Sequence, residues 1–285
     1  LILDAMGGDN APLEIVKGAL SGQKRWGVDV TLTGDTTAIL QALEACGEKT
    51  LPQGMEIVHT TETVEMCDDP ATVFRRKKDT SMGVGLTMLR DGRADAMVSA
   101  GSTGALLTGA TLIVKRIRGI RRAAMAPVIP TTTGQAVLID CGANAECTPE
   151  YLVQFAYLGS YYAHRVLGVE RPRVGLLNIG TEDSKGTDLQ KETLRWLREA
   201  HTAGHLNFIG NIEAKEAIKG GCDVIVCDGF SGNVLLKTME GVGSFAGSAL
   251  KAMFKKNLLT KLAALCVMPG LNAFKAKLDP NKVGG

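Results

Sequence analysis

The hydrophobic residues of this 285-residue chain fall into short continuous runs. Each run is followed by a loop of glycine and polar residues and then by an amphipathic stretch. Continuous apolar runs are typical of strands buried on both faces, and alternation of strand with helix predicts a mostly parallel sheet flanked by helices. We therefore assign residues 1–285 to a single α/β domain. The eight predicted strands are 2–4, 29–33, 55–59, 96–99, 136–139, 174–177, 206–209 and 224–227.

Glycine-rich loops follow the first and fourth runs. Because the carboxyl ends of parallel strands meet at one edge of a sheet, we expect all such loops to surround one crevice. Backbone N–H groups at glycines and at a helix start suit an anion, although Asp4 and Asp9 would repel it unless they orient donors. Each loop alone is equally well explained as a tight turn. The candidate anion-binding residues are Asp4, Gly7, Gly8, Asp9, Asn10, Gly101, Ser102, Thr103 and Gly104.

A lysine stands in the loop 178–186, just before a predicted helix. That helix opens with Thr187 and Gln190 at the spacing of a capping box. Lys185 can pair with a phosphate as a point charge, and Ser184 is a polar neighbour. The alternative is a solvated salt bridge with an acid of the same loop.

The loop 228–233 follows the last run and holds Ser231 and Asn233 beside glycines. The Asn233 side chain could donate an N–H group to a developing oxyanion. The alternative is an ordinary helix N-cap, for which asparagine is well suited.

The sequence offers few residues that could form a catalytic nucleophile together with its activating base. The four histidines all lie outside the special loops, and no GxSxG motif occurs. A reaction whose nucleophile is the substrate anion itself, such as phosphate attacking a thioester, needs neither a base nor a protein nucleophile. It needs an anion cradle, a cation and an oxyanion donor, and the loops offer all three.

Composition limits the partners, cofactors and cellular compartment that we expect. The net charge of +2 gives no whole-protein field that would indicate nucleic acid as a partner. Seven cysteines without a CxxC pair indicate reduced thiols in the cytoplasm rather than disulfides or a zinc site, so we expect no metal and no cofactor. The basic runs 75–78 and 115–122 could receive an acidic protein partner, or they are simply solvated.

The segment 245–278 predicts two helices broken at 268–270, which would form a protruding helical hairpin. Its apolar tip is flanked by lysines, a pattern that suits insertion into the surface of an anionic membrane. Core or dimer packing is the alternative. The candidate membrane-contacting residues are Leu258, Leu259, Leu262, Leu265, Val267 and Met268.

Seven motifs in series resemble those of the PlsX phosphate acyltransferases, and they cover essentially the whole chain. They are DAMGGDNAP (4–12), RRKKDTSM (75–82), DAMVSAGSTGAL (95–106), LIDCGAN (138–144), LLNIGTEDSKGT (176–187), FIGNIEAKE (208–216) and VCDGFSGNVLLK (226–237). The resemblance implies a fold like that of isocitrate and isopropylmalate dehydrogenases and related to phosphotransacetylases. It also implies transfer of a fatty acyl group from acyl-acyl-carrier-protein to inorganic phosphate.

The resemblance further implies a homodimer attached peripherally to the membrane, whose acyl phosphate product feeds a membrane glycerol-3-phosphate acyltransferase. It matches Lys185 and Asn233 to catalytic positions, and the loops 7–10 and 101–104 together with Asn144 to the substrate cradle. Ser102 stands where the family often has asparagine, and the family continues beyond Gly285 with a strand and a helix.

Three other functions remain open from the residues. The first is a phosphotransacetylase acting on short acyl-coenzyme A through the same loops. The second is a metal- and NAD-dependent dehydrogenase on the related fold, which would need a cluster of metal-binding aspartates. The third is a membrane-docked scaffold that recruits a partner through the hairpin.

Overall fold

The structure, a computed structural model, describes residues 1–257, 260, 263, 264, 267, 268 and 270. The chain divides into two compact units, Leu1–Gly119 and Ile120–Gly285. The assignment of residues 1–285 to a single domain stays a prediction.

The first unit is built on a four-stranded parallel sheet in the order β3-β2-β1-β4. Buried aliphatic side chains such as Leu32, Val16 and Ile39 fill the space between this sheet and its helices. The strands are β1 (Ile2–Asp4), β2 (Val30–Gly34), β3 (Met55–His59) and β4 (Met97–Val98). The helices are α1 (Leu13–Trp26), α2 (Thr36–Ala45), α3 (Val73–Arg76), α4 (Ser81–Arg90) and α5 (Thr103–Gly109), which continues into a π-helical turn (Ala110–Val114).

The second unit is built on a five-stranded sheet in the order β5-β6-β9-β7-β8. Its strands are β5 (Val128–Pro130), β6 (Gln135–Ile139), β7 (Arg173–Leu177), β8 (Asn207–Ile212) and β9 (Val224–Val226). Its helices are α6 (Pro149–Leu167), α7 (Asp188–Thr202), α8 (Ala214–Ile218) and α9 (Gly229–Lys255). Strand β9 is completely buried, and Gly159 of α6 packs so closely on it that a Cβ atom there would lie 2.5 Å from Val224 Cγ1.

The predicted α/β class with mostly parallel strands is confirmed, and each of the eight predicted runs corresponds to a strand. Strand β5 was not predicted; it is three residues long, ends in Pro130 and pairs antiparallel with β6 at the sheet edge. The expectation that all loops share one sheet edge is wrong, because the strands form two sheets. The special loops therefore leave two different edges, one in each unit.

The predicted hairpin begins inside a longer helix. Residues 245–255 continue α9, which starts at Gly229 and is 27 residues long. Val267 and Met268 are helical and exposed, with 45% and 41% of their surface accessible. The other predicted tip residues, Leu258, Leu259, Leu262 and Leu265, lie outside the described residues. Among the described helices, none is both long and apolar enough to cross a membrane.

Candidate active site

In the first unit, a buried carboxylate joins the loops that follow β1 and β4. Asp4 is 2% exposed, and its Oδ2 atom accepts a hydrogen bond of 2.7 Å from Ser99 Oγ. Ser99 Oγ in turn accepts from the Gly101 N–H group at 3.1 Å, while Asp4 Oδ1 accepts from the Met6 N–H group at 3.3 Å. Asp4 therefore orients donors within the protein, which is the condition under which its negative charge is compatible with a nearby anion.

Glycine is required where these two loops touch. A Cβ atom at Gly7 would lie 2.6 Å from Asp4 Oδ2 and 2.9 Å from the Gly101 nitrogen, and Gly8 adopts a φ of +107°. The close approach requires glycine at position 7, and the positive φ favours glycine at position 8, which together explain the GG pair of the first motif. Ser102 is buried and accepts from the Ala105 N–H group at 3.4 Å, so it caps α5. The remaining predicted residues of these loops are exposed: Asp9, Asn10, Thr103 and Gly104.

In the second unit, three neighbouring strands end at the same sheet edge. Strand β9 lies between β6 and β7, and all three are parallel. The loop after β6 carries Asn144, and the loop after β7 carries Lys185. Asn233 lies in α9, which follows β9 directly, because the predicted loop 228–233 is helical from Gly229 onward. Since neighbouring strands are about 4.8 Å apart, the outer two strand ends are separated by about 10 Å. The structure therefore brings these three predicted residues to one edge.

Asp140 organises the first of these loops. It is completely buried, and its carboxylate accepts five hydrogen bonds of 2.6 to 3.3 Å. Its donors are the backbone N–H groups of Met125, Cys141, Ala143 and Asn144 and the side-chain amide of Asn144. A buried carboxylate is stable only when such donors surround it. The loop conformation therefore depends on this charge.

The Asn144 side chain also donates to the Ala123 carbonyl at 2.8 Å, so both of its N–H groups bond within the protein. The Asn144 carbonyl accepts from the N–H group of Gly229, the first residue of α9, at 2.8 Å. A Cβ atom at Gly232 would lie only 2.0 Å from the Asp140 carbonyl oxygen. The start of α9 is thus packed directly on the loop that Asp140 holds.

Asp228 caps α9, because its Oδ1 atom accepts from the Ser231 N–H group at 2.8 Å. Ser231 Oγ donates to Asp228 Oδ2 at 2.8 Å, so this hydroxyl already has a partner. Asn233 is exposed in the second turn, and its side chain lies beside Gly142, where a Cβ atom would be 3.8 Å from Asn233 Oδ1. The N-cap explanation for Asn233 is wrong, since Asp228 has that role. Among the described residues, no hydrogen-bond partner of the Asn233 side chain is found.

In the loop after β7, hydrogen bonds hold the backbone of Lys185 at both its N–H group and its carbonyl. The Lys185 N–H group donates to the Glu182 carbonyl at 3.1 Å, and the Lys185 carbonyl accepts from the Asn178 side chain at 3.2 Å. The Lys185 stem crosses Gly180, where a Cβ atom would lie 2.9 Å from Lys185 Cγ. Ser184 is exposed beside it.

The salt-bridge alternative for Lys185 is not what the structure shows. Asp183 pairs with Arg198 of α7, whose hydrogen bonds hold the Asp183 pKa below its ordinary value. Within the described part of the chain, the Lys185 ammonium group has no acidic partner within salt-bridge distance. The predicted capping box is present at the start of α7, where Gln190 accepts from the Thr187 N–H group at 3.0 Å.

Cysteines border the Asp140 loop, but they are poor nucleophiles. Burial raises the pKa of Cys141 to about 11 and that of Cys147 to about 11, and burial holds the pKa of Cys227 well above its ordinary value. All three are therefore protonated thiols near neutral pH. In the part of the chain that the structure describes, no cluster of three or more histidine, cysteine or acidic side chains could hold a metal ion.

Sequence reasoning missed three residues of this edge. Asp140, Asn178 and Asn211 are not among the candidate residues selected from the sequence. Asn211 is 8% exposed, and its Nδ2 atom donates to the Glu182 carbonyl at 3.1 Å. Their position in the sequence could have identified them. Each of the three polar residues stands within or directly after a buried strand, where its side chain needs a hydrogen-bond partner.

The fold is shared with solved enzymes. A phosphotransacetylase from Streptococcus pyogenes overlaps this chain with a TM-score of 0.65 at 20% identity, covering 85% of this chain and 82% of the other. A Salmonella typhimurium structure named as a 4-hydroxythreonine-4-phosphate dehydrogenase overlaps with a TM-score of 0.50 at 14% identity, covering 79% and 80%. The chain is therefore an α/β protein with the fold seen in these phosphotransacetylase and dehydrogenase structures.

Sequence similarity gives the family. A family model described as "Fatty acid synthesis protein" matches residues 1–285. A phosphate acyltransferase from Alkaliphilus oremlandii is 46% identical over 285 residues, which are 100% of this chain and 83% of the relative. The chain belongs to this fatty acid synthesis protein family, which confirms the resemblance drawn from its motifs, and it is an acyltransferase enzyme.

We expect Asp140→Asn to lower the free energy of unfolding by about 3 kcal/mol, because an amide leaves buried N–H groups facing a donor instead of an acceptor. Urea unfolding followed by circular dichroism measures this change. The matched control is Asp183→Asn, which removes the charge of an exposed pair and should leave the midpoint unchanged. Equal midpoints for the two variants would contradict the role assigned to Asp140.

Proposed function

We propose that this enzyme transfers a fatty acyl group from acyl-acyl-carrier-protein to inorganic phosphate and releases acyl phosphate and the free carrier thiol. The acyl transfer to phosphate is supported by the name of the relatives, which are phosphate acyltransferases. The carrier protein as acyl donor rests on the resemblance of the seven motifs.

The observation that carries the proposal is the order of groups along the edge of the second sheet. Lys185 offers a cation without an acidic partner among the described residues, and Asn233 offers an exposed amide without a hydrogen-bond partner there. On the side of β9 away from Lys185, the junction of the Asp140 loop with α9 holds the start of the helix that carries Asn233. A cation and a neutral donor on adjacent strands suit a reaction between an anion and a carbonyl group.

Each group has a separate role. Lys185 neutralises the attacking phosphate, whose oxygen forms a bond to the thioester carbon. The carbonyl oxygen becomes an oxyanion, and the Asn233 amide donates a hydrogen bond to it. Collapse of this intermediate breaks the carbon–sulfur bond, and the thiolate leaves on the carrier and takes a proton from water. No residue of the protein is acylated, in keeping with the protonated state of the nearby cysteines.

A thiol-release assay tests the proposal directly. Purified protein receives acyl-acyl-carrier-protein with or without inorganic phosphate, free thiol is titrated, and hydroxylamine traps acyl phosphate. Phosphate-dependent release with a hydroxamate product supports the proposal. Release from acyl-coenzyme A but not from the carrier protein would instead indicate a phosphotransacetylase, and no release from folded protein would reject both.

Replacing Lys185 by alanine should lower kcat/KM for phosphate on the order of a hundredfold, because the anion loses its cation. The control is Lys191→Ala, which removes an exposed lysine from the first turns of α7 on the same unit. This variant should behave like the wild type. Full activity of Lys185→Ala would reject the assignment.

Replacing Asn233 by alanine should reduce kcat by about a hundredfold with little change in KM, since the hydrogen bond forms mainly to the oxyanion. Thr238→Ala, an exposed substitution further along α9, serves as the control. A rise in KM at constant kcat would show that Asn233 binds the substrate in its ground state instead.

The setting of the reaction belongs to the same proposal. The protein works as a homodimer in the cytoplasm, attached peripherally to the membrane through the segment 245–278. Its product passes to a membrane glycerol-3-phosphate acyltransferase. Support comes from the resemblance and from the exposure of Val267 and Met268 at the predicted tip.

Vesicle co-sedimentation tests the membrane contact. We expect the double substitution Val267→Asp and Met268→Asp to weaken binding to vesicles containing anionic lipid by about tenfold, because the apolar contact is lost and charge is repelled. Met66→Asp replaces a methionine of the first unit that is more accessible, 74% exposed against 41% for Met268, and should have no effect. Identical sedimentation of all three proteins would overturn the assignment.

A further inference from the structure

We propose that Asn211 is a positioning residue, which holds the loop 179–186 so that the Lys185 ammonium group meets the phosphate. The inference rests on the proposed function and extends it to a residue outside the reacting groups. Asn211 lies on β8, the strand next to β7, and the loop it contacts leaves the end of β7.

The contact is a single hydrogen bond from a buried amide. Asn211 Nδ2 donates to the Glu182 carbonyl at 3.1 Å, and the same carbonyl accepts from the Lys185 N–H group at 3.1 Å. One oxygen atom therefore links the Asn211 side chain to the Lys185 backbone. Asn178 holds the other side of Lys185 through its carbonyl at 3.2 Å.

The register of β8 is shifted where it places Asn211. Val174 pairs with Phe208, but the next residue, Gly175, pairs with Gly210, so Ile209 is left as a bulge. Gly210 adopts a φ of +100°, a conformation that suits glycine. Bulges change which face of the sheet the following side chains occupy. Here the shift puts Asn211 opposite Leu176 of the buried core, beneath the loop after β7.

Stability does not account for an asparagine at this position. The Asn211 Oδ1 atom is buried and has no hydrogen-bond donor among the described residues. A buried acceptor without a partner destabilises the folded state. A leucine here would remove that acceptor, and the Glu182 carbonyl would keep its hydrogen bond from the Lys185 N–H group. The amide is therefore explained by what its Nδ2 atom holds in place, which is the backbone next to Lys185.

Asn211→Leu tests this, because leucine has nearly the same size and removes both polar atoms. We expect an unchanged or higher melting temperature together with a rise in the phosphate KM on the order of tenfold to a hundredfold, since small misplacement of a binding group has effects of this size. The KM for the acyl carrier substrate should stay near the wild-type value. Hydrogen exchange should become faster at the amides of 179–186.

Thr193→Val is the matched control. Thr193 Oγ1, on α7 of the same unit, is likewise buried without a hydrogen-bond partner among the described residues, and the substitution removes it without altering the loop. This variant should match Asn211→Leu in stability and the wild type in phosphate KM. In the Lys185→Ala background, Asn211→Leu should produce no additional rise in phosphate KM, because its effect passes through Lys185.

A wild-type phosphate KM in Asn211→Leu would overturn the inference. So would a loss of stability that Thr193→Val does not share, since that result assigns Asn211 a purely structural role. If the wild-type enzyme releases no thiol on addition of phosphate, the proposed function fails. The exchange rates of 179–186 then still decide whether Asn211 holds the loop.

Discussion

The conformation of the candidate site in the second unit depends on a buried charge, which is solvated by hydrogen-bond donors of the protein instead of by water. Asp140 is inaccessible to water, and five N–H groups take the place of hydration around its carboxylate. Those donors come from two chain segments, Met125, three residues before β5, and the loop after β6. The same loop then accepts from the first N–H group of α9. One carboxylate thereby fixes the geometry from which Asn233 is presented, and desolvation makes any other arrangement costly.

The first unit uses the same physical solution with a smaller network. Asp4 ends β1 as Asp140 follows β6, and its carboxylate joins two loops through Ser99 and backbone N–H groups. In both units glycines allow the backbone to approach the carboxylate, at Gly7 in one and at Gly229 in the other. Acidic residues beside candidate anion loops are therefore consistent with anion binding, because their charge is already satisfied internally and the loops keep their shape.

The sequence predicted the strands because buried parallel strands are continuous apolar runs, and it selected Lys185 and Asn233 because loop chemistry is local. It did not predict the separation of the strands into two sheets, since pairing partners are set by contacts distant in sequence. The bulge at Ile209 could not be predicted either, because a one-residue shift in strand register depends on the neighbouring strand. The role of Asn211 was missed for the same reason, because the carbonyl it holds lies in another segment. Most donors to Asp140 lie in its own loop, but their convergence on the buried carboxylate depends on the loop conformation and on Met125.

The polar residues at the edge of the second sheet are of two kinds. Some are hydrogen-bonded within the protein, and others are exposed and available to a substrate. Asp140, Asn144, Asp228 and Ser231 have hydrogen-bond partners within the protein, so they hold shape and contribute no free charge. Lys185 and Asn233 are two exposed polar groups set on this framework, one charged and one neutral. In the proposed reaction, a preorganised edge of this kind would lower the barrier by electrostatics without a protein nucleophile, because its dipoles need not reorganise when charge moves from the attacking anion to the carbonyl oxygen.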